Sequence, residues 1–174
     1  AAKQALDGLD NVTIHRTDTF SAYETLKGQQ FDIIYIDANH QYEYVLRDIK
    51  LFAELLTENG LIILNDAIAS PMGRTQNLGV LEAVSSFLKG THFAPLAVTA
   101  TDWADLIIGR SDAIIAHVGA LIALANFPKI NVPPELLYAF SLVDFRGRPF
   151  IDFGSAYKEY NLHKINFEAA KKAS

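Results

Sequence analysis

Short apolar runs and helical periodicity alternate along the middle of the chain. Phe31–Ile36 (FDIIYI) and residues 61–64 (LIIL) are short apolar runs, typical of buried parallel strands. The apolar residues between them recur at the three- and four-residue steps of one helical face: Tyr42, Val45, Leu46, Ile49, Phe52 and Leu56. Asn59 and Gly60 are expected to end this helix, because glycine tolerates the left-handed conformation of a helix C-terminus. The pattern predicts a strand, a helix and a second strand.

Acidic residues follow both predicted strands. Asp37 comes after the first, and Asn65 and Asp66 come at the end of the second. Crossovers between parallel strands are right-handed, so both strand ends are expected at one edge of the sheet. Open α/β sheets bind their ligands at that edge. His40 lies close by and has the proton affinity for acid–base work near neutral pH. Function is therefore expected around Asp37, His40 and Asp66.

Composition narrows the class of protein. A chain of 174 residues that is 50% hydrophobic and 20% charged is expected to fold as one globular domain. The net charge of −5 argues against nucleic acid as the main partner, since phosphate contacts need clustered lysine and arginine. The absence of cysteine excludes disulfides and thiolate catalysis. No signal peptide or membrane-length apolar run is visible, so the cytoplasm is the default expectation.

Several segments resemble the class I S-adenosylmethionine-dependent methyltransferases. IDANHQYE is similar to the IDGDHSYE of one branch, at the fourth strand of that family, and LLTENG to the LLKPGG turn before its fifth. NVTIHRTDTF resembles the third strand with its acidic loop, LGVLEAVSSFL the helix after strand five, and FAPLAVTATDWADLIIGR the closing antiparallel hairpin. The resemblance spans residues 11–110. It implies a Rossmann-like, doubly wound α/β sheet.

One departure from the family is large. None of the ten glycines is separated from another by a single residue, so the glycine-rich loop after strand one has no counterpart. The strands that the family places between residues 11–15 and Phe31–Ile36 are also missing. A sheet without its centre would expose apolar backbone. The expectation is that a segment of roughly one βαβ unit, about 30 residues, precedes the sequence. A rearranged sheet is the alternative.

The resemblance also assigns roles to residues. It implies that Asp18, Thr19, Asp37 and Ala38 contact S-adenosylmethionine, with Asp18 at the adenine. In the leading hypothesis His40 is the general base, for which its proton affinity suits it, and Asp37 and Asp66 position the acceptor or a metal. Asp37 and Asp66 would hold Mg²⁺ if a metal is used, although Ala67 stands where metal-dependent members carry a further ligand.

Simpler roles compete with these assignments. For Asp37 the competing interpretation is an N-cap of the helix that follows, and for Asp18 it is a surface turn. For His40 it is a helix-start histidine bonded to a nearby carboxylate. Arg74, in the loop of residues 68–77, is either an anion clamp or a solvated side chain.

The chain divides into residues 1–110, the methyltransferase-like part, and a helical extension at 111–174. Residues 112–126 predict an apolar helix that needs burial on most faces, and it is expected to serve as a docking or oligomer surface. Residues 144–154 predict a hairpin or a loop over a neighbouring site, and residues 158–174 a short surface helix.

Three functions stay open. The first is methyl transfer to a small-molecule acceptor, with a hydroxyl as the expected acceptor group. The second is a non-catalytic binding or assembly module of the same fold. The third is a nicotinamide-dependent oxidoreductase.

Overall fold

The computed structural model describes residues 9–67, 78–99, 104–126, 141–144 and 149–152, the last two ranges as backbone only. The elements in chain order are α1 (Thr19–Leu26), β1 (Phe31–Ile36), α2 (Tyr42–Ala53), β2 (Leu56–Leu64), α3 (Val80–Lys89), β3 (Ala94–Val98), β4 (Leu106–Gly109), α4 (Asp112–Leu124), β5 (Ser141–Asp144) and β6 (Pro149–Asp152). None of the helices in these ranges is long and apolar enough to cross a membrane. The loop with Arg74 and the predicted tail helix lie outside the described residues.

Four strands form a mixed sheet in the order β1-β2-β4-β3. β1 and β2 are parallel, with Ile36 opposite Leu64 at their carboxyl ends. β4 runs antiparallel to both β2 and β3. The protein therefore has the predicted Rossmann-like α/β fold, and the predicted closing hairpin is formed by β3 and β4. A separate two-stranded sheet joins β5 to β6, so a hairpin does form, but it begins at Ser141.

The core lies on one face of the four-stranded sheet. Ile34, Ile62, Leu64, Leu106 and Ile108 point to that face, and all are nearly or fully buried. They pack against α2 and α3, which supply a further set of buried side chains: Val45, Ile49, Ala53, Val80, Ala83, Val84 and Phe87. Burial of each large aliphatic side chain stabilises the fold by about 1.5–3 kcal/mol. This face therefore holds the sheet and the two helices together.

The opposite face is only partly covered. Ile33 and Tyr35 of β1 are 63% and 53% exposed. Helix α4 covers the far end of this face, where Ile114 lies near Gly109 and close to Leu61. Helices thus lie on both faces, as in a doubly wound sheet, but unequally.

The predicted end of α2 was wrong. The helix ends at Ala53, and β2 already begins at Leu56. Phe31 N–H donates to the Leu55 carbonyl at 2.8 Å, so pairing with β1 extends the chain there. Gly60 lies inside β2 at an irregularity in the register and has no positive φ. A Cβ at Gly60 would lie 2.7 Å from Leu56, so glycine permits close packing at this point.

The expected third strand was also wrong. Residues 11–15 form no strand, and Val12 and Ile14 are exposed; nothing in the described ranges pairs with them. The chain instead forms α1 directly after Asp18, a helix that the sequence reading missed. Helix α4 forms where expected, but only Val118 on it is buried, and Leu121 and Leu124 are 56% and 84% exposed.

Candidate active site

His40 lies between two carboxylates at the carboxyl ends of β1 and β2. Its Nε2 is 3.2 Å from Asp37 Oδ1, and its Nδ1 is 3.3 Å from Asp66 Oδ2. The three predicted residues therefore meet at one edge of the sheet. A neutral imidazole donates from one nitrogen only, whereas the protonated ring can donate to both carboxylates. Each carboxylate can therefore accept from the ring nitrogen that faces it when that nitrogen carries a hydrogen.

Backbone contacts fix the loop that carries His40. Asn39 Oδ1 accepts a hydrogen bond from Gln41 N–H at 2.9 Å, which turns the chain into α2. Gly79 N–H donates to the His40 carbonyl at 2.9 Å. A Cβ at Gly79 would lie 2.7 Å from the backbone nitrogen of Tyr42, so α3 begins in direct contact with the start of α2. The two helices on the covered face therefore position His40.

Asp66 is the buried member of the group. It is 4% exposed, and its backbone is in the left-handed region with φ 55°. Its Oδ2 faces His40, while Oδ1 is buried without a hydrogen-bond partner. Burial raises the pKa of Asp66; the charge of His40 opposes that rise, and the charges of Asp37 and Asp105 add to it. An unpaired buried carboxylate oxygen is costly, so it is a place where a ligand donor would be favoured.

Asp105 is a third carboxylate at the same edge. Its Oδ1 accepts hydrogen bonds from Asn65 Nδ2 at 3.0 Å and from the Tyr35 hydroxyl at 3.2 Å. Partial desolvation, and then the charge of Asp105, raise the pKa of Tyr35, so this hydroxyl stays a donor at neutral pH. The network ties the ends of β1 and β2 to the start of β4.

Asp37 is exposed and does not cap α2. The N-cap of that helix is Gln41, which makes no side-chain capping bond. The simpler capping role is therefore wrong for Asp37, and its carboxylate faces His40 and solvent. Ala38 is exposed in the same loop. Its predicted contact with the cofactor stays a prediction.

Asp18 and Thr19 lie at the start of α1. Asp18 is the N-cap: its carboxylate accepts from Phe20 N–H and Ser21 N–H at 3.0 and 3.1 Å, and from the Ser21 hydroxyl. The hydrogen bonds from Ser21, side chain first, lower the pKa of Asp18. The Thr19 hydroxyl donates to the buried Asp48 of α2 at 2.8 Å. In the described contacts neither residue touches the His40 group, and their cofactor roles stay predictions.

The predicted metal site stays a prediction as well. Asp37 and Asp66 do lie near one another through His40. Within the described ranges, however, no group of three or more histidine, aspartate or glutamate side chains is arranged to hold a metal ion.

Three contributors to this edge were missed from the sequence. Asp105 lies just before β4. Because β4 is antiparallel to β2, its start lies at the edge where the parallel strands end. An acidic residue just before the last apolar strand was the available signal. Tyr35 gave no signal within its apolar strand. The only sequence signal for Gly79 was its position at the start of a predicted helix.

The fold and these contacts define a class: an α/β protein with a Rossmann-like sheet and an acid–base cluster at the edge where such sheets bind ligands. A family model described as a methyltransferase domain matches residues 1–67. The match covers less than half of the chain, but it includes Asp18, Asp37, His40 and Asp66. It supports a methyltransferase family for this part of the chain. No curated protein and no solved structure matches the chain significantly.

Proposed function

We propose that the protein transfers a methyl group from S-adenosylmethionine to a hydroxyl group of a small molecule. The observation that carries the proposal is the histidine held between an exposed and a buried carboxylate, inside the segment similar to a methyltransferase domain. A hydroxyl is a weak nucleophile while it keeps its proton. A positioned base that removes the proton typically accelerates such a step by about 10²–10⁴-fold.

The relative burial of the three side chains indicates the path of the proton. Asp66 is buried, the His40 ring is 19% exposed and the Asp37 side chain is 50% exposed. Asp66 accepts from Nδ1 and orients the ring, and Nε2, which lies 3.2 Å from the exposed Asp37, receives the proton of the acceptor hydroxyl. Asp37 stabilises the imidazolium that results. Alignment of the acceptor with the methyl group supplies much of the remaining acceleration.

The residues at this edge suit the proposed cofactor. S-adenosylmethionine supplies an electrophilic methyl on a sulfonium centre and also carries an ammonium group. Carboxylates are the fitting partners for such charges, and Asp37 is an exposed carboxylate at this edge. Asp37 would lie toward the methionine end and Asp18 toward the adenine, and Thr19 and Ala38 are the other proposed cofactor contacts. Mg²⁺ is not required by this scheme.

Calorimetric titration with S-adenosylhomocysteine tests cofactor binding. We expect micromolar binding that Asp18→Ala weakens by about tenfold or more, as for loss of a hydrogen bond to a charged group. Asp18 also caps α1, so Asp18→Ser is the matched variant that keeps the cap without the carboxylate. It should lose affinity equally. Repetition with Mg²⁺ tests whether Asp37 and Asp66 bind metal. If the folded protein binds no S-adenosylhomocysteine, the non-catalytic module becomes the better proposal.

His40→Gln tests the base. We expect it to bind S-adenosylhomocysteine like the wild type but to transfer methyl about 10²–10⁴-fold more slowly to an alcohol or phenol found active in a panel of small acceptors. His92→Gln, at a histidine outside the cluster, is the control. Equal rates in His40→Gln and wild type would contradict the assignment of His40.

A further inference from the structure

The His40 edge carries more negative charge than the described residues neutralise. Asp37, Asp66 and Asp105 interact there, and the basic side chain shown by their described contacts is the His40 ring, which is charged only when protonated. The hydrogen bonds to Asp105 come from the neutral groups of Tyr35 and Asn65. In the described ranges, the salt bridges of lysine and arginine involve other acids, namely Glu24, Asp48 and Glu58.

A second observation is an unpaired oxygen inside this cluster. Asp66 is 4% exposed, yet its Oδ1 has no hydrogen-bond partner. Native proteins rarely leave a buried carboxylate oxygen unpaired, because a protein or ligand donor normally satisfies it. The neighbouring charges of Asp37 and Asp105 make a positively charged donor the favoured one.

The arrangement of the described carboxylates suits an organic cation. A metal needs several ligands converging on one point, and the described residues offer no such group of three or more. An ammonium group needs only separate acceptors around it, because it donates three hydrogen bonds in different directions. Asp66 Oδ1 is one such acceptor; Asp37 shares the His40 ring with Asp66, and Asp105 accepts from the adjacent Asn65.

We propose that the methyl acceptor is an amino alcohol, whose ammonium group binds at Asp66 and Asp105 while its hydroxyl faces His40. This inference rests on the proposed function. It adds a substrate class: acceptors that carry a positive charge beside the hydroxyl. Carboxylate-bearing acceptors are disfavoured by the same charges.

Three small molecules that differ mainly in charge test the proposal. They are 2-aminoethanol, which is cationic at pH 7, neutral ethane-1,2-diol and anionic glycolate. Each is titrated into the full chain while NMR follows the His40 ring signals, which are identified by their loss in His40→Gln. We expect 2-aminoethanol to bind at least about tenfold more tightly than the diol, as for one charge-assisted hydrogen bond, and glycolate not to bind.

Variants locate the site. Asp105→Asn and Asp66→Asn should each abolish the preference for 2-aminoethanol over the diol. Asp32→Asn, at an exposed carboxylate on β1 that bonds to Thr57, should keep it. Equal binding of all three probes, or an unchanged preference in both cluster variants, would overturn the proposal.

Two competition experiments distinguish the ammonium group of an acceptor from a metal ion and from the amino group of the cofactor. If MgCl₂ displaces 2-aminoethanol at a lower concentration, the site binds a metal ion and the ammonium proposal is overturned. Displacement by S-adenosylhomocysteine would assign the site to the amino group of the cofactor and overturn the acceptor class. Binding of these probes requires no methyl transfer. The preference for 2-aminoethanol can therefore be measured even if the methyltransferase proposal fails.

Discussion

The single residue that organises the candidate site is His40. Sequence alone brought Asp37, His40 and Asp66 together, because parallel strands joined by a right-handed crossover end at one edge. The structure confirms that meeting. Their individual contacts could not be foreseen, because which nitrogen faces which carboxylate depends on the conformation of the loop that Asn39 and Gly79 fix.

Asp66→Asn should show a pH-dependent gain in stability. Burial raises the pKa of Asp66 above its ordinary value of 3.8, so the folded protein binds this proton more readily than the unfolded chain. The stability that Asp66 contributes is therefore full below pH 3.8 and falls as the pH rises through the folded pKa. Asparagine cannot ionise and tolerates a positive φ. Relative to wild type, the variant should be more stable at pH 7 than at pH 4, as measured by urea denaturation.

The control for this pH dependence is Asp32→Asn, which removes an exposed carboxylate from β1. Its stability relative to wild type should change less between the two pH values than that of Asp66→Asn. A stability difference for Asp66→Asn that is the same at pH 4 and pH 7 would mean that Asp66 is solvated in solution.

Among the elements, α2 and α3 determine where the site loop lies, and their contact is tightest at Gly79. Gly79→Ala should lower the free energy of unfolding by about 1–3 kcal/mol, as for other overpacked positions. The reason is steric: φ at Gly79 is −102°, which alanine adopts readily, but the added Cβ would lie 2.7 Å from Tyr42 N. Chemical denaturation measures the loss, and the His40 ring signals should shift.

Gly119→Ala is the matched substitution in α4. A Cβ there meets nothing within 4 Å, and the residue lies in an exposed helix. Alanine should therefore raise the free energy of unfolding by about 0.5–1 kcal/mol. If Gly79→Ala were as well tolerated as Gly119→Ala, the close contact between α2 and α3 would be refuted.

Element boundaries show where sequence patterns stop being sufficient. β1 was predicted with its observed bounds, because its apolar run has no competing periodicity. The end of α2 was missed because Leu56 fits the helical period and the strand equally well, and only pairing with Phe31 decides between them. Asp18, as an N-cap residue, was the local signal for α1. It was instead interpreted as part of an acidic loop.

For the whole molecule, the important asymmetry is between the two faces of the sheet. Ile34 points to the covered face and is 9% exposed, whereas its neighbour Ile33 is 63% exposed on the other. Ile34→Ala should cost about 2–5 kcal/mol of unfolding free energy. Ile33→Ala should cost about 0.5 kcal/mol or less, as surface substitutions do. Urea denaturation of both variants measures the difference.

Comparable losses at the two positions would mean that the face of Ile33 is covered in solution, by a second copy or another partner. The fold class was foreseen from the succession of strand, helix and strand, and the closing hairpin from the resemblance of FAPLAVTATDWADLIIGR to that of the methyltransferase family. The exposure of this face was not foreseen. It depends on how many elements pack there, which hydrophobic pattern alone does not determine.

Helix α4 has one more consequence, which concerns its rotation about its own axis. The helix carries small or apolar side chains of its own on nearly all sides. Rotation about its axis therefore barely changes the apolar area that it buries. Its azimuth must come from specific contacts. Ser111, the N-cap, accepts from Ile114 N–H at 3.1 Å and donates to Asn59 Oδ1 at 2.6 Å, while a methyl of Ile114 lies beside Gly109. A single amide in β2 therefore helps to decide which side of α4 faces outward.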